Sequence, residues 1–323
     1  MSSQNPIHAQ LLDGQGGAVV LDESAIAKWQ PQEGSLWVHL NYDDESAIDW
    51  LNNSSGFDEL IVGALRAAET RPRVVSRGDG LIVALRGVNL NPGADPEDMV
   101  SIRIWIDADR IVTTRKRELL SVGDIEAEFK AGNGPVNSAD FIVDLADKLV
   151  DRVCDVTNDL EDVVAGLEER VLGGDNGSLR YDLATVRRQA IAIRRYLSPQ
   201  REALSRLYSE KVSWLDEAHR FRLREINDRL IRSIEDLDVL RERAAVTQEE
   251  LQSRHSEELN SRMYVLSVVA AIFLPLGFLT GLLGINVGGI PGTENPNAFM
   301  FFVVSLIVVV VLQVVIFRWK KWM

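Results

Sequence analysis

The sequence predicts an α/β domain with a mixed sheet, a long helical stalk and a hairpin of two membrane-spanning helices. Three observations carry this. Short β-branched runs bounded by Gly, Asp and Asn alternate with helix-like pieces up to about residue 130. From there to residue 263 almost every position is compatible with helix. Two uninterrupted apolar stretches, Tyr264 to Leu283 and Ala298 to Phe317, then follow. About 20 apolar residues at 1.5 Å rise cover the roughly 30 Å hydrocarbon core, so each stretch is long enough to span a bilayer.

In the first region the strands are expected at Leu36 to Leu40, Leu81 to Leu85, Ile102 to Ile106 and Arg110 to Thr114, with Asp107-Ala108-Asp109 as a hairpin turn between the last two. Helices are expected over Glu45 to Asn52 and Asp58 to Ala68. A break at Ala131 to Pro135 ends this domain, giving divisions at 1–135, 136–262 and 263–323.

In the helical region, breaks are expected at Gly173 to Gly177 and at Ser198-Pro199. They leave helices of about 35 and 20 residues and one very long helix from near Ser213 to Gly284, on the order of 100 Å at 1.5 Å per residue. Leu223, Ile226, Leu230, Leu237, Leu240 and Ala244 fall near the 3.5-residue period of a coiled-coil seam, which points to partners of the same kind. Thr247 to Arg262 is polar nearly all round. It reads either as a solvated connector or as the wall of a water-filled vestibule built from several copies.

The loop between the spans is barely ten residues, so both ends of the hairpin lie on one side of the membrane. Arg254 and Arg262 precede the first span, and Arg318, Lys320 and Lys321 follow the second, whereas the loop carries only Glu294. By the positive-inside rule both termini are cytoplasmic. No apolar run stands at the N-terminus, so the first span is expected to direct insertion.

Composition removes several functions. The net charge of −13 argues against nucleic acid as a partner, although it would draw cations. The single cysteine, Cys154, forbids an internal disulfide, and His8, His39, His219 and His255 lack zinc-site spacing. No phosphate-binding loop, dinucleotide fingerprint or nucleophile elbow occurs, so neither an enzyme nor a bound cofactor is expected. His39 and Cys154 read as core or surface residues. Arg187-Arg188 and Arg194-Arg195 read most simply as helix-surface ion-pair partners, with anion binding as the other reading.

Two spans per chain cannot enclose a pathway, so transport would require several copies. Along the first span Met263, Leu266, Ala270, Leu274, Gly277 and Gly281 recur at three- and four-residue spacing. Small residues on this face either line a pore or permit close helix packing. Asn286 at its outer end offers an amide able to hold the water shell of a divalent cation, or else a helix cap. A membrane-anchored sensor without transport is the rival from another class, and it would have no need of this face.

Met263 to Asn286, with Leu274-Pro275-Leu276 in mid-span and Gly284-Ile285-Asn286 at the end, resembles the first transmembrane helix and signature of the CorA family of divalent-cation transporters. Val287 to Gly292 and Glu69-Thr70-Arg71-Pro72-Arg73 look like its ZntB branch, associated with zinc. The resemblance covers essentially the whole chain. It implies a homopentameric funnel in the bacterial inner membrane, transporting Zn2+ or, as the alternative, Mg2+, Co2+ or Ni2+. It places the ion entrance at Gly284, Ile285 and Asn286 and the pore lining at the six-residue stripe. Arg318, Lys320 and Lys321 would form a cytoplasmic basic collar, unless they are interface anchors. Here the first acid after Asn286 is Glu294, farther along than in the magnesium members. Neither His nor Cys occurs between Met263 and Met323, so no tight soft-ligand zinc site is expected there. If transport is proton-coupled, Glu249, Glu250, His255, Glu257 and Glu258 are the candidate titrating groups.

Overall fold

A computed structural model describes residues 7–68, 70–174, 177–284, 292 and 294–320. The chain divides into two compact units, Met1–Gln248 and Glu249–Met323.

The first unit is built on a seven-stranded sheet of β1 (Ile7–Leu12), β2 (Ala18–Leu21), β3 (Leu36–Asn41), β4 (Arg73–Arg77), β5 (Gly80–Gly87), β6 (Val100–Ile106) and β7 (Arg110–Arg115). The order is β2-β1-β3-β7-β6-β5-β4. Only β3 and β7 run parallel, with Val38 opposite Val112, so the sheet is mixed as expected. The predicted hairpin turn is present: Ile106 faces Ile111, and the Asp107 N–H donates to the Arg110 carbonyl at 3.0 Å.

Both faces of the sheet are covered, which is why its central strands read as continuous apolar runs. On one face Leu36, Val38, Leu40 and Val112 form a core with residues of α1 (Glu23–Ile26), α2 (Glu45–Asp49) and α3 (Glu59–Arg66). Asp22, Asp44 and Asp58 cap these helices, each accepting a backbone N–H in the first turn. The expected helix from Glu45 to Asn52 gives way at Trp50 to a wider turn ending at Ser54. On the other face Trp37, fully buried, packs on Phe129 of α4 (Leu120–Ala131) and Phe141 of α5 (Ser138–Leu172), with ring centroids 5.9 and 4.9 Å away. Helix α4 ends at Gly132, whose φ of 75° lets its N–H reach the Glu128 and Phe129 carbonyls.

His39 is buried among polar partners on this second face. The Arg115 Nε–H donates to its Nε2 at 2.8 Å, so the ring proton sits on Nδ1 and points to Thr113 Oγ1, 2.7 Å away. Burial, reinforced by the Arg115 charge, pushes its pKa down from 6.5 to about 3. The unfolded chain therefore takes up this proton as pH falls through its ordinary value, whereas the folded chain does not. Stability from this source is complete above the unfolded value and is lost as pH falls towards the folded one, by about 1.4 kcal/mol per pH unit. Between about pH 6 and pH 4 the melting temperature of the wild type should thus fall more steeply than that of His39→Gln. Parallel curves would contradict the assignment.

Helices α5, α6 (Leu179–Ser209) and the start of α7 (Glu217–Leu283) form a second layer. Here the structure corrects two expectations. Pro199 does not break the chain but lies inside α6. Its missing hydrogen bond is outweighed by packing: Leu197, Pro199, Gln200, Ala203, Leu204 and Leu207 are all buried, and Gln200 Oε1 accepts the Arg86 N–H from β5 at 2.7 Å. The seam of α7 is also not turned towards other copies. Leu223, Ile226, Leu230, Leu237, Leu240 and Ala244 are already buried within the single chain.

What flanks that seam is a ladder of ion pairs to α5. Arg222 meets Asp144 at 2.6 Å, Arg229 bridges Asp147 and Asp151, and Arg243 meets Glu168 at 2.7 Å. Residue numbers rise together along both helices, so α5 and α7 run parallel. Arg194 of α6 joins Asp238 of α7 at 2.7 Å. Each partly exposed pair contributes only about 0.2–1 kcal/mol. The buried apolar seam, at about 1.5–3 kcal/mol for each large side chain, dominates, and the ladder sets its register. Helix α7 starts where Asp216 caps it, accepting the His219 N–H at 2.9 Å, close to the start expected near Ser213.

Candidate metal-ion pathway

The second unit consists of the C-terminal part of α7 and of α8 (Ala298–Trp319). Both helices contain windows apolar enough to cross a membrane, and none of either window is buried inside the protein. Large side chains stand bare on both, among them Leu266, Leu274, Phe278, Phe301 and Val308. In water such surfaces would be untenable; in a bilayer they meet lipid or other spans.

The two spans touch along a definite face. Val268, Ala271, Ile272, Leu276 and Leu279 are the shielded positions of α7 in this stretch, together with Ala270. At about 100° per residue, the stripe Met263, Leu266, Ala270, Leu274 and Gly281 is centred on the opposite side of the helix. Met263, Leu266 and Leu274 are accordingly 64, 69 and 70% exposed. Gly277 sits at the margin, because it also lines a groove between the spans with Phe273, Leu276, Thr280, Ile307 and Val310. Four of the six positions that the sequence singles out, Met263, Leu266, Leu274 and Gly281, therefore lie on a face that α8 leaves uncovered.

One polar pairing inside the hairpin goes beyond what the sequence predicts. Pro275 has no N–H, so the Ala271 carbonyl one turn earlier is deprived of its helical donor. Gln313 of α8 supplies a replacement, its Nε2 donating to the Ala271 oxygen at 3.1 Å. A freed carbonyl in hydrocarbon costs several kcal/mol unless it is re-satisfied, and Gln313 meets that need. The signal that could have revealed it is a lone amide in an otherwise apolar span, opposite a span interrupted by proline. Ser267 and Thr280 hydroxyls donate to carbonyls of their own helix, Met263 at 2.8 Å and Leu276 at 2.9 Å, and so remain compatible with an apolar surrounding.

At the far end of α7 the Gly284 N–H donates to the Thr280 carbonyl at 2.9 Å, and a side chain at 284 would collide with that same oxygen. Ile285 and Asn286, the rest of the expected entrance, lie outside the described residues, as do Lys321 and, of the family-like segments, Glu69 and residues 287–291. Glu294 is exposed, and so are Arg318 and Lys320 beyond the second span. Glu249, Glu250, His255, Glu257 and Glu258 are exposed on α7, with Glu250 paired to Arg254 at 2.7 Å and Glu258 to Arg262 at 3.8 Å. Among the described residues no group of three or more His, Cys, Asp or Glu side chains is arranged to hold a metal ion.

A mixed α/β domain followed by a long helix that continues into an apolar two-span hairpin defines a class of integral membrane protein rather than a soluble one. Residues 32–321 match the family described as CorA-like Mg2+ transporter protein, and the chain belongs to that family. The family is one of transporters, not of enzymes. The divalent cation transporter CmaX of Pseudomonas aeruginosa is 40% identical over 321 residues, covering 98% of this chain and 96% of the relative. The zinc transport protein ZntB of Yersinia enterocolitica is 36% identical over 317 residues, with 98 and 96% covered. The structure of full-length CmaX superposes with a TM-score of 0.88 at 38% identity, covering 100% of both chains. The complete structure of the CorA magnesium transporter from Methanocaldococcus jannaschii shares the fold, with a TM-score of 0.83 at 16% identity over 99% of each chain.

Proposed function

We propose that this protein moves divalent metal ions, Zn2+ first among them, across the bacterial inner membrane through a pore formed by five copies of α7. The observation that carries this reading is the stripe from Met263 to Gly281 on the face of α7 opposite α8. A tether for a cytoplasmic sensor would not need a periodic stripe in which Met263, Leu266, Leu274 and Gly281 are turned away from its own second span. In the proposed assembly Leu274, Leu266 and Met263 form successive apolar constrictions, and Gly281, Gly277 and Ala270 bring backbone oxygens close to the water column. Gly284, Ile285 and Asn286 form the entrance, with Glu294 as the nearest acid of the loop. Arg318, Lys320 and Lys321 ring the cytoplasmic mouth, both termini being cytoplasmic.

The zinc assignment is supported by the relatives called zinc transport proteins, but the similarly close CmaX is called only a divalent cation transporter. The chemistry of the pore face favours breadth. With amide, hydroxyl and backbone oxygen as its ligands, it would pass hydrated ions and discriminate weakly among them. The test is zinc influx into proteoliposomes loaded with a zinc-sensitive dye, at equal and unequal pH across the bilayer. Influx is expected, with cadmium, nickel and cobalt competing within about tenfold of zinc, since oxygen donors distinguish these ions poorly. Strong zinc preference would overturn the hydrated-ion reading. Acceleration by a proton gradient would bring Glu249, Glu250, His255, Glu257 and Glu258 into the mechanism, and magnesium influx without zinc influx would move the assignment to magnesium.

A further inference from the structure

Where β5 and β6 meet α6, a pocket of about 870 Å³ opens in the first unit. Its charge is opposite to that of the chain as a whole, which carries −13. Arg71, Arg86, Arg103 and Arg195 line it, and none of the four makes an ion pair among the described residues. The other two cations of its wall are already neutralised: Arg117 by Asp98, the single acid among the described residues that line the pocket, and Lys116 by Asp43 at 2.9 Å.

The two inner guanidiniums are held by neutral groups. Arg86 donates to the Thr70 and Met99 carbonyls at 3.2 and 2.9 Å and lies over the Tyr196 ring at 4.2 Å. Arg103, only 2% exposed, donates to the Ala67 and Ala68 carbonyls at 2.6 and 2.9 Å and stacks on Tyr42 at 4.5 Å. Buried cations without counter-charge are costly, and burial lowers the pKa of both. Arg195 covers the Tyr196 ring as well, at 4.7 Å. Thr70 and Ser101 add hydroxyls, 2.5 Å from each other, beside these arginines.

We propose that this pocket binds a small phosphate-bearing anion, held chiefly by Arg71, Arg86 and Arg195. Guanidinium forks match the oxygens of a phosphate group, and several of them converging favour a multiply charged anion over a singly charged one. Both tyrosine rings are already stacked by arginines, so recognition falls on the phosphates rather than on a base. The site requires no part of the transport pathway and stands independently of the pore reading.

The experiment is calorimetric titration of the full-length protein in detergent, at low ionic strength, with inorganic phosphate, pyrophosphate and ATP. Pyrophosphate should bind more tightly than phosphate, and ATP within a few-fold of pyrophosphate. ATP binding far tighter than pyrophosphate would keep the site and name a nucleotide as the source of the phosphates. Arg71 and Arg195 are exposed and break no ion pair when replaced, so Arg71→Gln/Arg195→Gln should keep the wild-type melting temperature. Its affinity should fall by about a hundredfold, on the order of tenfold for each charge-assisted hydrogen-bonding group removed. No binding of any of the three anions overturns the proposal, as would be seen if a carboxylate of another copy already fills the pocket. Unchanged affinity in the double variant overturns it equally.

Discussion

Replacing Asn286 with alanine is expected to cut zinc influx into proteoliposomes by about tenfold or more, while leaving the protein folded and inserted. The magnitude follows from the chemistry of a hydrated cation. A hydrogen bond involving a charged partner contributes about 1.5–3 kcal/mol, which corresponds to one or two decades, and the proposed assembly presents the amide once per subunit. Methyl groups in its place offer the water shell nothing, so in the proposed assembly the ion would lose its station at the mouth. Asn286→Gln keeps the amide but moves it outward, and should fall between the two. Undiminished influx in Asn286→Ala, with normal expression and melting temperature, would remove the entrance from the Gly284 to Asn286 tripeptide. An anchor without transport predicts no influx in either protein.

The second large effect concerns stability. Trp37→Ala should destabilise the first unit by about 3–5 kcal/mol, the range for deleting a large aromatic side chain from a core. Trp37 is completely buried, packs on Phe129 and Phe141 from two different helices, and donates its indole N–H to Thr113 Oγ1 at 2.9 Å. Removing it opens a cavity where the sheet, α4 and α5 meet, and deprives the Thr113 hydroxyl of one of its two donors. Trp37→Phe retains most of the packing and lacks the hydrogen bond, so it should cost about 1–2 kcal/mol. Thermal melts of the two variants followed by circular dichroism check both figures. Equal losses would mean that the indole N–H, not the ring, dominates.

The strands that can be read from the sequence are those whose side chains are buried on both faces: Leu36 to Leu40, Leu81 to Leu85, Ile102 to Ile106 and Arg110 to Thr114. Those that escape carry mixed signals. Val19 and Val20 of β2 are 60 and 66% exposed, β4 is charged at both ends, and β1 holds His8 and Gln10 among its apolar residues. Helix α4 has no side-chain cap at its start, so nothing in the sequence announces it. The stripe from Leu223 to Ala244 correctly marks a covered helix face, but a period says only that something lies against that face. Its occupant is encoded elsewhere, in Asp140, Asp144, Asp147 and Asp151, which recur on one side of α5 at the spacing of the arginines they meet. Pro199 misleads because a local rule about proline cannot weigh the packing that holds α6 against the sheet. On the first span composition and period agree in singling out one stripe, whose role as pore lining belongs to the proposal. Gln313 is silent in the sequence because its purpose depends on a carbonyl 42 residues away.

That last pairing makes the first span dependent on the second for one of its own backbone hydrogen bonds. Proline removes the rung that would hold the helix straight, and the replacement rung belongs to a different helix. The pairing lies one turn before Pro275 and close to Leu274, the middle constriction of the proposed pore. The second span thereby completes the backbone hydrogen bonding of the first, so a change at residue 313 is a change to the first span as well.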